Sequence, residues 1–436
     1  MSPSRAPAIG IDFGTTNTVI SLADGQGGSH LAVFPTDGGE IAAFRSALSF
    51  HTPVNDPRGR IVEAGPWAIE AYLEEPLETR FIQSFKSYAA SPLFTDTDIL
   101  GRRFTFEDLL SAFLLKVRDH GGPELRDLPE RAIIGRPVNF AGLRPDPELA
   151  VRRYQTAFSR LGFTDLRYAY EPVAAAFFFA RQLKADATVL VADFGGGTSD
   201  FSLVRFELLG GGKVKSTGLA NSGVGVAGDA FDYRIIDNLV SPRLGKGGQY
   251  KAFDNLPPIP NRYYTAFARW EQLALLQASR DMKDIRNLVK TALQPEKIEW
   301  LVELLDDNHG YRLYQSVSRL KEALSREEMA RFSFVAGSIR IEQDVPRSAF
   351  EGWITPELTA METAVDEALA RAGLSEDGVD RVFLTGGSSF VPAVRDIFAR
   401  RFGAAKLESG NELVSIAKGL AFIGEEDDLD PWCRTA

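Results

Sequence analysis

The sequence predicts an α/β protein of two similar lobes, with a largely helical insertion in the second lobe. Two repeated features indicate this architecture: an apolar strand ending in Asp before a glycine-rich turn, and an apolar helix rich in small residues. The length of 436 residues also exceeds the ~250–300 at which a single hydrophobic core stops growing. We therefore expect an internal duplication whose two lobes face each other across a cleft. The alternative is a coincidence between two glycine-rich turns.

The first strand-and-turn unit lies close to the start of the chain. Residues 8–13 are apolar, the polar turn Gly14-Thr15-Thr16-Asn17 follows, and residues 19–22 are apolar again, which predicts a hairpin. The second unit has the same layout. Residues 187–194 form an apolar strand, Gly195-Gly196-Gly197-Thr198 form the turn, and residues 201–206 form the next strand.

The repeated helices are predicted at residues 171–180 and 415–424. Small side chains let two backbones approach closely, as two helices crossing at a junction between lobes require. We place lobe I at residues 8–186, with a C-terminal helix at 412–424 that returns to it, and lobe II at residues 187–411.

The insertion in lobe II is predicted near residues 240–315. Its prolines at 257, 258 and 260 interrupt regular structure. On either side, residues 270–285 and 295–305 carry apolar side chains at helical spacing.

The composition excludes several classes of function. Lys and Arg number 49 against 59 Asp and Glu, which gives a net charge of -10. An acidic surface argues against nucleic-acid and membrane partners, since both need a basic surface. The one cysteine, Cys433, is typical of a reducing compartment. The N-terminus lacks the features of a signal peptide, and the longest apolar run, residues 172–180, is too short to span a membrane. We expect a cytoplasmic protein.

The two glycine-rich turns predict a phosphate site. Without a Cβ, backbone N–H groups can point at one anion, and Thr hydroxyls add donors. An Asp at the end of each strand repels phosphate but can hold the water shell of Mg²⁺. One such turn is a weak signal, whereas two that enclose a triphosphate from both sides are a strong one. The sequence contains no P-loop motif.

Two further glycine motifs complete the prediction. Residues 384–388 (LTGGS) join a strand to the amphipathic helix predicted at 391–402, and the glycine pair would admit a flat nucleoside. The alternative is a plain strand-to-helix turn. Residues 223–228 match G-x-G-x-x-G, but the proline-rich insertion breaks the βαβ unit that a dinucleotide site needs. A phosphate-facing loop before a helix at 229–240 fits better.

Four segments resemble the ATPase domain of the heat-shock-70 chaperones, in the same order and with similar spacing. They are residues 9–17 (IGIDFGTTN), 170–176 (YEPVAAA), 192–200 (ADFGGGTSD) and 384–388 (LTGGS). The resemblance implies the two-lobed actin-like ATPase fold, with duplicated ribonuclease-H-like mixed sheets of five strands each. The resemblance covers roughly residues 8–206 and 317–424. Within the family, the sequence is similar to the short, YegD-like variety. ATP or ADP and Mg²⁺ are the implied cofactors.

The resemblance also implies a role for each matching residue. Asp12 and Asp193 resemble carboxylates that hold Mg²⁺ through water, and Glu171 resembles the acid that positions water or metal near the γ-phosphate. Lys86 lies where the family has a lysine that approaches this phosphate; the alternative is an ordinary surface lysine. Thr198 matches a phosphate-side hydroxyl that serves the chemistry. The remaining matches to nucleotide-binding positions are Gly14, Thr15, Thr16, Asn17, Gly195, Gly196, Gly197, Gly228, Lys321, Ser325, Gly386, Gly387 and Ser388.

The sequence departs from the family pattern in two respects. The family sandwiches adenine between two arginines, and the corresponding places here are Glu322 and Phe390. An aromatic face could still stack on adenine; the alternative is less selective binding. The sequence also ends without the apolar linker that leads to a peptide-binding domain in the family.

The expected function is therefore a Mg²⁺-dependent, slow ATPase that acts as a chaperone-like conformational switch without a peptide-binding domain. The expected partners are a nucleotide and a co-chaperone or client protein of unknown identity. Two alternatives stay open, an actin-like filament scaffold and a small-molecule kinase of the same superfold. The kinase would need an Asp base over a second substrate pocket, and the sequence offers no distinct candidate.

Overall fold

The computed structural model describes residues 8–53, 56, 59–142, 144–181, 183–210, 213–269, 273, 276–277, 279–408, 414–426, 428–430 and 432–433. The chain forms two compact units. The first comprises Met1–Ala227, Ala360–Phe390 and Val394–Ala436, and the second comprises Gly228–Thr359 and Val391–Ala393.

The strands are β1 (Ala8–Phe13), β2 (Asn17–Ala23), β3 (Ser29–Leu31), β4 (Phe34–Thr36), β5 (Gly39–Ile41), β6 (Ala43–Arg45), β7 (Ala47–His51), β8 (Ile61–Ala64), β9 (Arg80–Gln83), β10 (Thr97–Ile99), β11 (Arg102–Phe104), β12 (Arg131–Arg136), β13 (Asp165–Tyr170), β14 (Ala187–Phe194), β15 (Ser199–Gly210), β16 (Lys213–Val224), β17 (Met329–Ala336), β18 (Ile339–Pro346), β19 (Arg381–Thr385) and β20 (Leu407–Glu408).

The helices are α1 (Gly65–Glu74), α2 (Phe106–His120), α3 (Pro147–Ser159), α4 (Glu171–Ala180), α5 (Gly228–Ile235), α6 (Asn261–Phe267), α7 (Arg280–Leu288), α8 (Pro295–Asp306), α9 (Gly310–Arg326), α10 (Arg347–Trp353), α11 (Thr355–Ala372), α12 (Pro392–Phe402) and α13 (Ser415–Gly424). Among the residues that the structure describes, every helix is too short or too polar to cross a lipid bilayer.

Two mixed sheets organise the first unit. One has the order β13-β12-β1-β2-β3, with β6 also paired to β2, and the other has the order β16-β15-β14-β19-β20. In each sheet a central strand has an antiparallel hairpin partner on one side and a parallel strand on the other: β1 lies between β2 and β12, and β14 between β15 and β19. This shared topology confirms the predicted mixed α/β class. The first sheet has six strands and not the predicted five, because β6 adds to the edge of β2.

The central strands form where the sequence is uninterruptedly apolar. Every residue of β14 is buried, which suits a strand covered on both faces. In β1 the side chain of Asp12 is the one that is only partly buried. Asp12 and Asp193 each precede the final Phe of their strand, so both sheets present a carboxylate beside a turn.

Helices α4 and α13 pack closely on each other where small residues of the two helices meet. A Cβ added to Gly419 of α13 would lie 1.8 Å from the carbonyl oxygen of Ala174 in α4. Gly10 of β1 is equally tight, since its added Cβ would lie 2.3 Å from the backbone nitrogen of Ala421 in α13. Helix α13 therefore lies directly against β1 and α4.

The second unit is mainly helical. It contains α5 to α10 and the hairpin of β17 and β18. The predicted insertion does contain helices α6, α7, α8 and the start of α9. Part of the helix predicted at 270–285 lies outside the described residues, and so do residues 411–413 before α13. Both sheets fall in the first unit, so this division does not test the predicted lobe boundaries, which stay a prediction.

Candidate functional site

The two glycine-rich turns are closed by the same hydrogen bond. The backbone N–H of Gly14 donates to the carbonyl of Asn17 at 3.0 Å, and that of Gly195 donates to the carbonyl of Thr198 at 2.9 Å. Asn17 is the first residue of β2, and Thr198 immediately precedes β15. The sequence repeat is thus a repeat of backbone conformation.

The turns also approach each other within the first unit. A Cβ added to Gly197 would lie 3.6 Å from Oγ1 of Thr15. Glycine is required at position 14, where a Cβ would lie 2.3 Å from the carbonyl oxygen of Asn17. The two middle residues of each turn, Thr15 and Thr16 in one and Gly196 and Gly197 in the other, are all partly exposed.

Ser46 stabilises the turn at residues 14–17 through two hydrogen bonds. Its hydroxyl donates to the carbonyl of Gly14 at 2.7 Å, and its backbone N–H donates to the carbonyl of Thr16 at 2.9 Å. The hydroxyl of Thr18 lies 2.9 Å from that of Ser46. With these carbonyls engaged, the turn is held in one conformation by residues outside it.

Three aspartates lie at the ends of the strands. Asp193 and Asp200 are opposite each other on β14 and β15 and are 3% and 1% exposed. Among the described residues, Oδ1 of Asp193 and Oδ2 of Asp200 have no hydrogen-bond partner. Burial, together with the negative charge of Glu171, raises the pKa of Asp12 and of Asp200 to about 7 and the pKa of Asp193 well above its usual value.

Lys86 and Glu171 form a buried ion pair. Lys86 Nζ lies 2.7 Å from Glu171 Oε1, and the two side chains are 9% and 7% exposed. Burial alone would lower the pKa of Lys86, but contact with Glu171 outweighs it and raises the pKa above its usual value. Lys86 is therefore not an ordinary surface lysine.

A hydrated divalent cation fits this charge distribution. The negatively charged side chains of Asp12, Glu171, Asp193 and Asp200 all interact with one lysine, Lys86. Burial and the charge of Glu171 raise the pKa of each of the three aspartates. Buried carboxylate oxygens that lack a partner are the kind of ligand that Mg²⁺ or its water shell prefers. Asp12 and Asp193 are the residues that would hold it through water.

The loop that begins at Gly386 packs against the end of β14. Gly386 has φ +82°, and a Cβ there would lie 2.1 Å from the carbonyl oxygen of Phe194, so only glycine fits. Around Gly387 nothing lies within 4 Å of an added Cβ, which leaves open space. Ser388 is buried, while the Phe390 side chain is 46% exposed.

Three of the predicted nucleotide-binding residues lie in the second unit: Gly228, predicted in a phosphate-facing loop, and Lys321 and Ser325, predicted on the adenosine side. Gly228 is the first residue of α5, and Lys321 of α9 donates to its carbonyl at 3.3 Å. Lys321 also pairs with Asp232 at 2.7 Å. The hydroxyl of Ser325 donates to the carbonyl of Lys321 at 3.0 Å, and Glu322 is exposed on the same helix.

The G-x-G-x-x-G segment is not part of a dinucleotide-binding unit. Its first two residues, Gly223 and Val224, end the antiparallel strand β16, and its last glycine begins α5. The parallel βαβ unit that a dinucleotide-binding site needs is therefore not formed by these residues.

Asp200 also belongs to this site, although its role was not predicted from the sequence. Its Oδ1 accepts backbone N–H bonds from Val138 at 3.1 Å and Asn139 at 3.2 Å, which fixes the carboxylate beside Asp193. The signal was present, because Asp200 is the second aspartate of the motif at 192–200. In the hairpin, Phe194 and Ser199 flank the turn, and Asp193 and Asp200 form the next pair of opposite residues.

Comparisons with known proteins agree on one family. The family model described as "Hsp70 protein" matches residues 86–247 and 285–426. The chaperone protein DnaK of Thermus thermophilus is 24% identical over 441 residues, which cover 97% of this chain and 62% of that protein. DnaK of Deinococcus radiodurans is 26% identical over 437 residues, which cover 95% of this chain and 59% of that protein. The chain thus spans about three fifths of the length of the curated relatives it matches.

Proposed function

Because the matched regions make up most of its length, this chain belongs to the Hsp70 family, and we propose from that premise that it binds ATP or ADP with Mg²⁺ and hydrolyses ATP. One observation carries the proposal. Two glycine-rich turns with the same closing hydrogen bond approach each other, Gly197 beside Thr15. Each turn follows a strand whose next-to-last residue is a partly or fully buried Asp.

In this proposal the turns bind the phosphates. Their free N–H groups and the hydroxyls of Thr15, Thr16 and Thr198 would donate to phosphate oxygens. Asp12 and Asp193 would hold a hydrated Mg²⁺, which supplies charge neutralisation at the phosphates.

The ion pair would serve the reaction itself. Glu171 would orient the attacking water near the γ-phosphate. The ammonium of Lys86 would meet negative charge that grows in the transition state, where a fixed cation in a dry site is most effective. Its contact with Glu171 holds it in place before the nucleotide arrives.

The adenosine side is proposed on two grounds. Gly387 has open space beside it in the loop between Gly386 and Ser388, and the exposed ring of Phe390 offers a face on which adenine could stack. The adenosine-side roles of Lys321 and Ser325 rest on the family resemblance, whereas Gly228 is proposed to face the phosphates from the start of α5. Their mutual contacts within the second unit would orient Lys321.

We place this ATPase among chaperone-like switches, with a co-chaperone or client protein as partner and a cytoplasmic location. The comparisons support this class, since the matched relatives are chaperones. They do not favour the filament-scaffold or small-molecule kinase alternatives.

Two measurements test the proposal. A ligand at 100 times its Kd stabilises by about 2.7 kcal/mol, so ATP or ADP with Mg²⁺ should raise the melting temperature by several degrees. Phosphate release should follow with ATP. Asp193→Asn is the matched variant: it removes a buried negative charge but keeps the shape, so it should fold normally and lose much of the Mg²⁺ dependence. No shift with either nucleotide at millimolar concentration would contradict binding, and a shift without phosphate release would contradict hydrolysis.

A further inference from the structure

Arg136, the last residue of β12, is a charged group without an obvious partner. Its Nε is buried, yet it has no hydrogen-bond partner among the described residues. None of the described carboxylates lies within 4.0 Å of its guanidinium nitrogens. Arg131, at the other end of the same strand, illustrates the usual arrangement, since it pairs with Asp165 at 2.8 Å.

Aromatic rings hold the Arg136 guanidinium in place. Its Cζ lies 5.0 Å from the centre of the Tyr170 ring and 5.4 Å from that of Phe140. The parallel register of β12 and β13 sets Arg136 directly beside Tyr170. Arginine stacks well on aromatic faces, and these contacts orient the planar fork while leaving its N–H groups unused.

The same edge of the sheet carries the proposed reaction site. Strands β1, β12 and β13 are parallel, so Asp12, Arg136 and Glu171 all lie where these strands end. Glu171 packs against Gly135, whose added Cβ would lie 3.1 Å from Glu171 Cγ. Gly135 therefore touches the Lys86–Glu171 pair, and Arg136 follows it at the same end of β12, with its side chain on the other face of the strand.

Neighbours of Arg136 in the chain and in space contact other residues of the proposed reaction site. Two and three positions further on, Val138 and Asn139 donate their backbone N–H groups to Asp200. The hydroxyl of Tyr154 is a second buried donor that lacks a partner among the described residues, and its ring packs edge-on against Phe140 at 6.2 Å. Two unsatisfied donors at one place indicate a missing acceptor, since buried polar groups are normally hydrogen-bonded.

We propose that Arg136 donates to the terminal phosphate of ATP, as a cation supplied by the chain itself in addition to Lys86. This inference rests on the proposed function. Lys86 Nζ already donates to Glu171, whereas the guanidinium of Arg136 is oriented by two rings and has no carboxylate partner in the part of the chain that the structure describes. A planar fork that meets a phosphate makes two parallel charge-assisted hydrogen bonds. Arg136 would therefore select a nucleoside triphosphate over the diphosphate.

The test is the ratio of affinities for a non-hydrolysable ATP analogue and for ADP, both with Mg²⁺, measured by calorimetry on the full chain. Arg136→Met should weaken the analogue by roughly tenfold or more and leave ADP within about twofold. Arg136→Lys keeps the positive charge but loses the planar fork. Its affinity for the ATP analogue should therefore lie between those of the parent chain and Arg136→Met. Arg152→Met removes an arginine that is 62% exposed on α3 and should change neither affinity.

The outcomes separate this inference from the function on which it rests. If the parent chain binds neither nucleotide, both ideas fail. If both nucleotides bind and Arg136→Met leaves their ratio unchanged, the role of Arg136 alone is overturned. An equal loss for analogue and ADP, with an unchanged melting temperature, would also overturn it, because a general packing role does not distinguish the two. Should Arg136→Met not fold, the ratio measured for Arg136→Lys decides.

Discussion

At the scale of single residues, the site depends on compensation of buried charge. Lys86 and Glu171 lose most of their hydration, and their contact at 2.7 Å offsets that loss. The surrounding aspartates have raised proton affinity for the same reason, since burial and like charge both disfavour ionisation. The free protein therefore holds a site that is short of positive charge, and the proposed ligands of that site bring it as Mg²⁺.

We predict that the stabilising and catalytic contributions of Lys86 can be separated. Lys86→Met leaves the carboxylate of Glu171 buried and unpaired, so it should cost about 3–5 kcal/mol of unfolding free energy. The double variant Lys86→Met with Glu171→Gln removes both charges and should recover most of that stability. If Lys86 acts in the transition state, kcat of the double variant should remain at least about 10²-fold below the parent.

Chemical denaturation and single-turnover hydrolysis measure the two contributions. Glu171→Gln alone is the control, since it keeps the lysine and tests how far the loss of activity belongs to the acid. A double variant that is stable and hydrolyses ATP at the parent rate would contradict the catalytic role of both residues.

At the scale of elements, the sequence predicted best where burial dominates. The bounds of β1 and β14 and of helices α4 and α13 agree with the structure, because uninterrupted apolar or small-residue segments end at glycine turns or charged residues. Strand β15 was predicted too short, at residues 201–206. It extends to Ser199–Gly210, because pairing with β16 continues beyond the apolar stretch. The pattern of apolar residues alone does not predict how far such strand pairing extends.

The site was predictable in part for the same reason. Each glycine-rich turn is a local motif, and both could be identified from neighbouring residues. The contact between Lys86 and Glu171 joins residues 85 positions apart and has no local signature. Only the family resemblance linked these residues to one site. Arg136 carried no signal at all, because its isolation depends on what the fold places around it.

The contact between α4 and α13 gives a prediction at the same scale. Gly419→Ala would put a Cβ 1.8 Å from the carbonyl oxygen of Ala174, so the helices must separate. Overpacking of this kind costs about 1–3 kcal/mol or more. Gly352→Ala is the matched control: it also lies in a helix, α10, and its added Cβ would meet nothing within 4 Å. It should be neutral or stabilising by about 0.5–1 kcal/mol. Equal urea denaturation curves for the two variants would contradict the close contact.

At the scale of the whole molecule, the two sheets of the first unit are expected to respond to one ligand together. Each contributes one glycine-rich turn, and the turns approach each other at Thr15 and Gly197. A triphosphate bound by both turns would couple them, since neither could open without losing its share of the contacts. A nucleoside monophosphate would not couple the two turns, because its single phosphate cannot contact both.

We therefore predict simultaneous protection of both turns in hydrogen exchange. At 100 times the Kd of ATP, with Mg²⁺, amides of residues 14–17 and 195–198 that exchange only from the free state should slow by about 100-fold. AMP at the same concentration should protect neither turn, and removal of Mg²⁺ with EDTA should reduce the effect of ATP on both. The hairpin of β17 and β18, in the second unit, serves as the internal reference for each sample. Protection of one turn without the other would show that a single motif binds phosphate, and the duplicated site would then be wrong even if ATP binds.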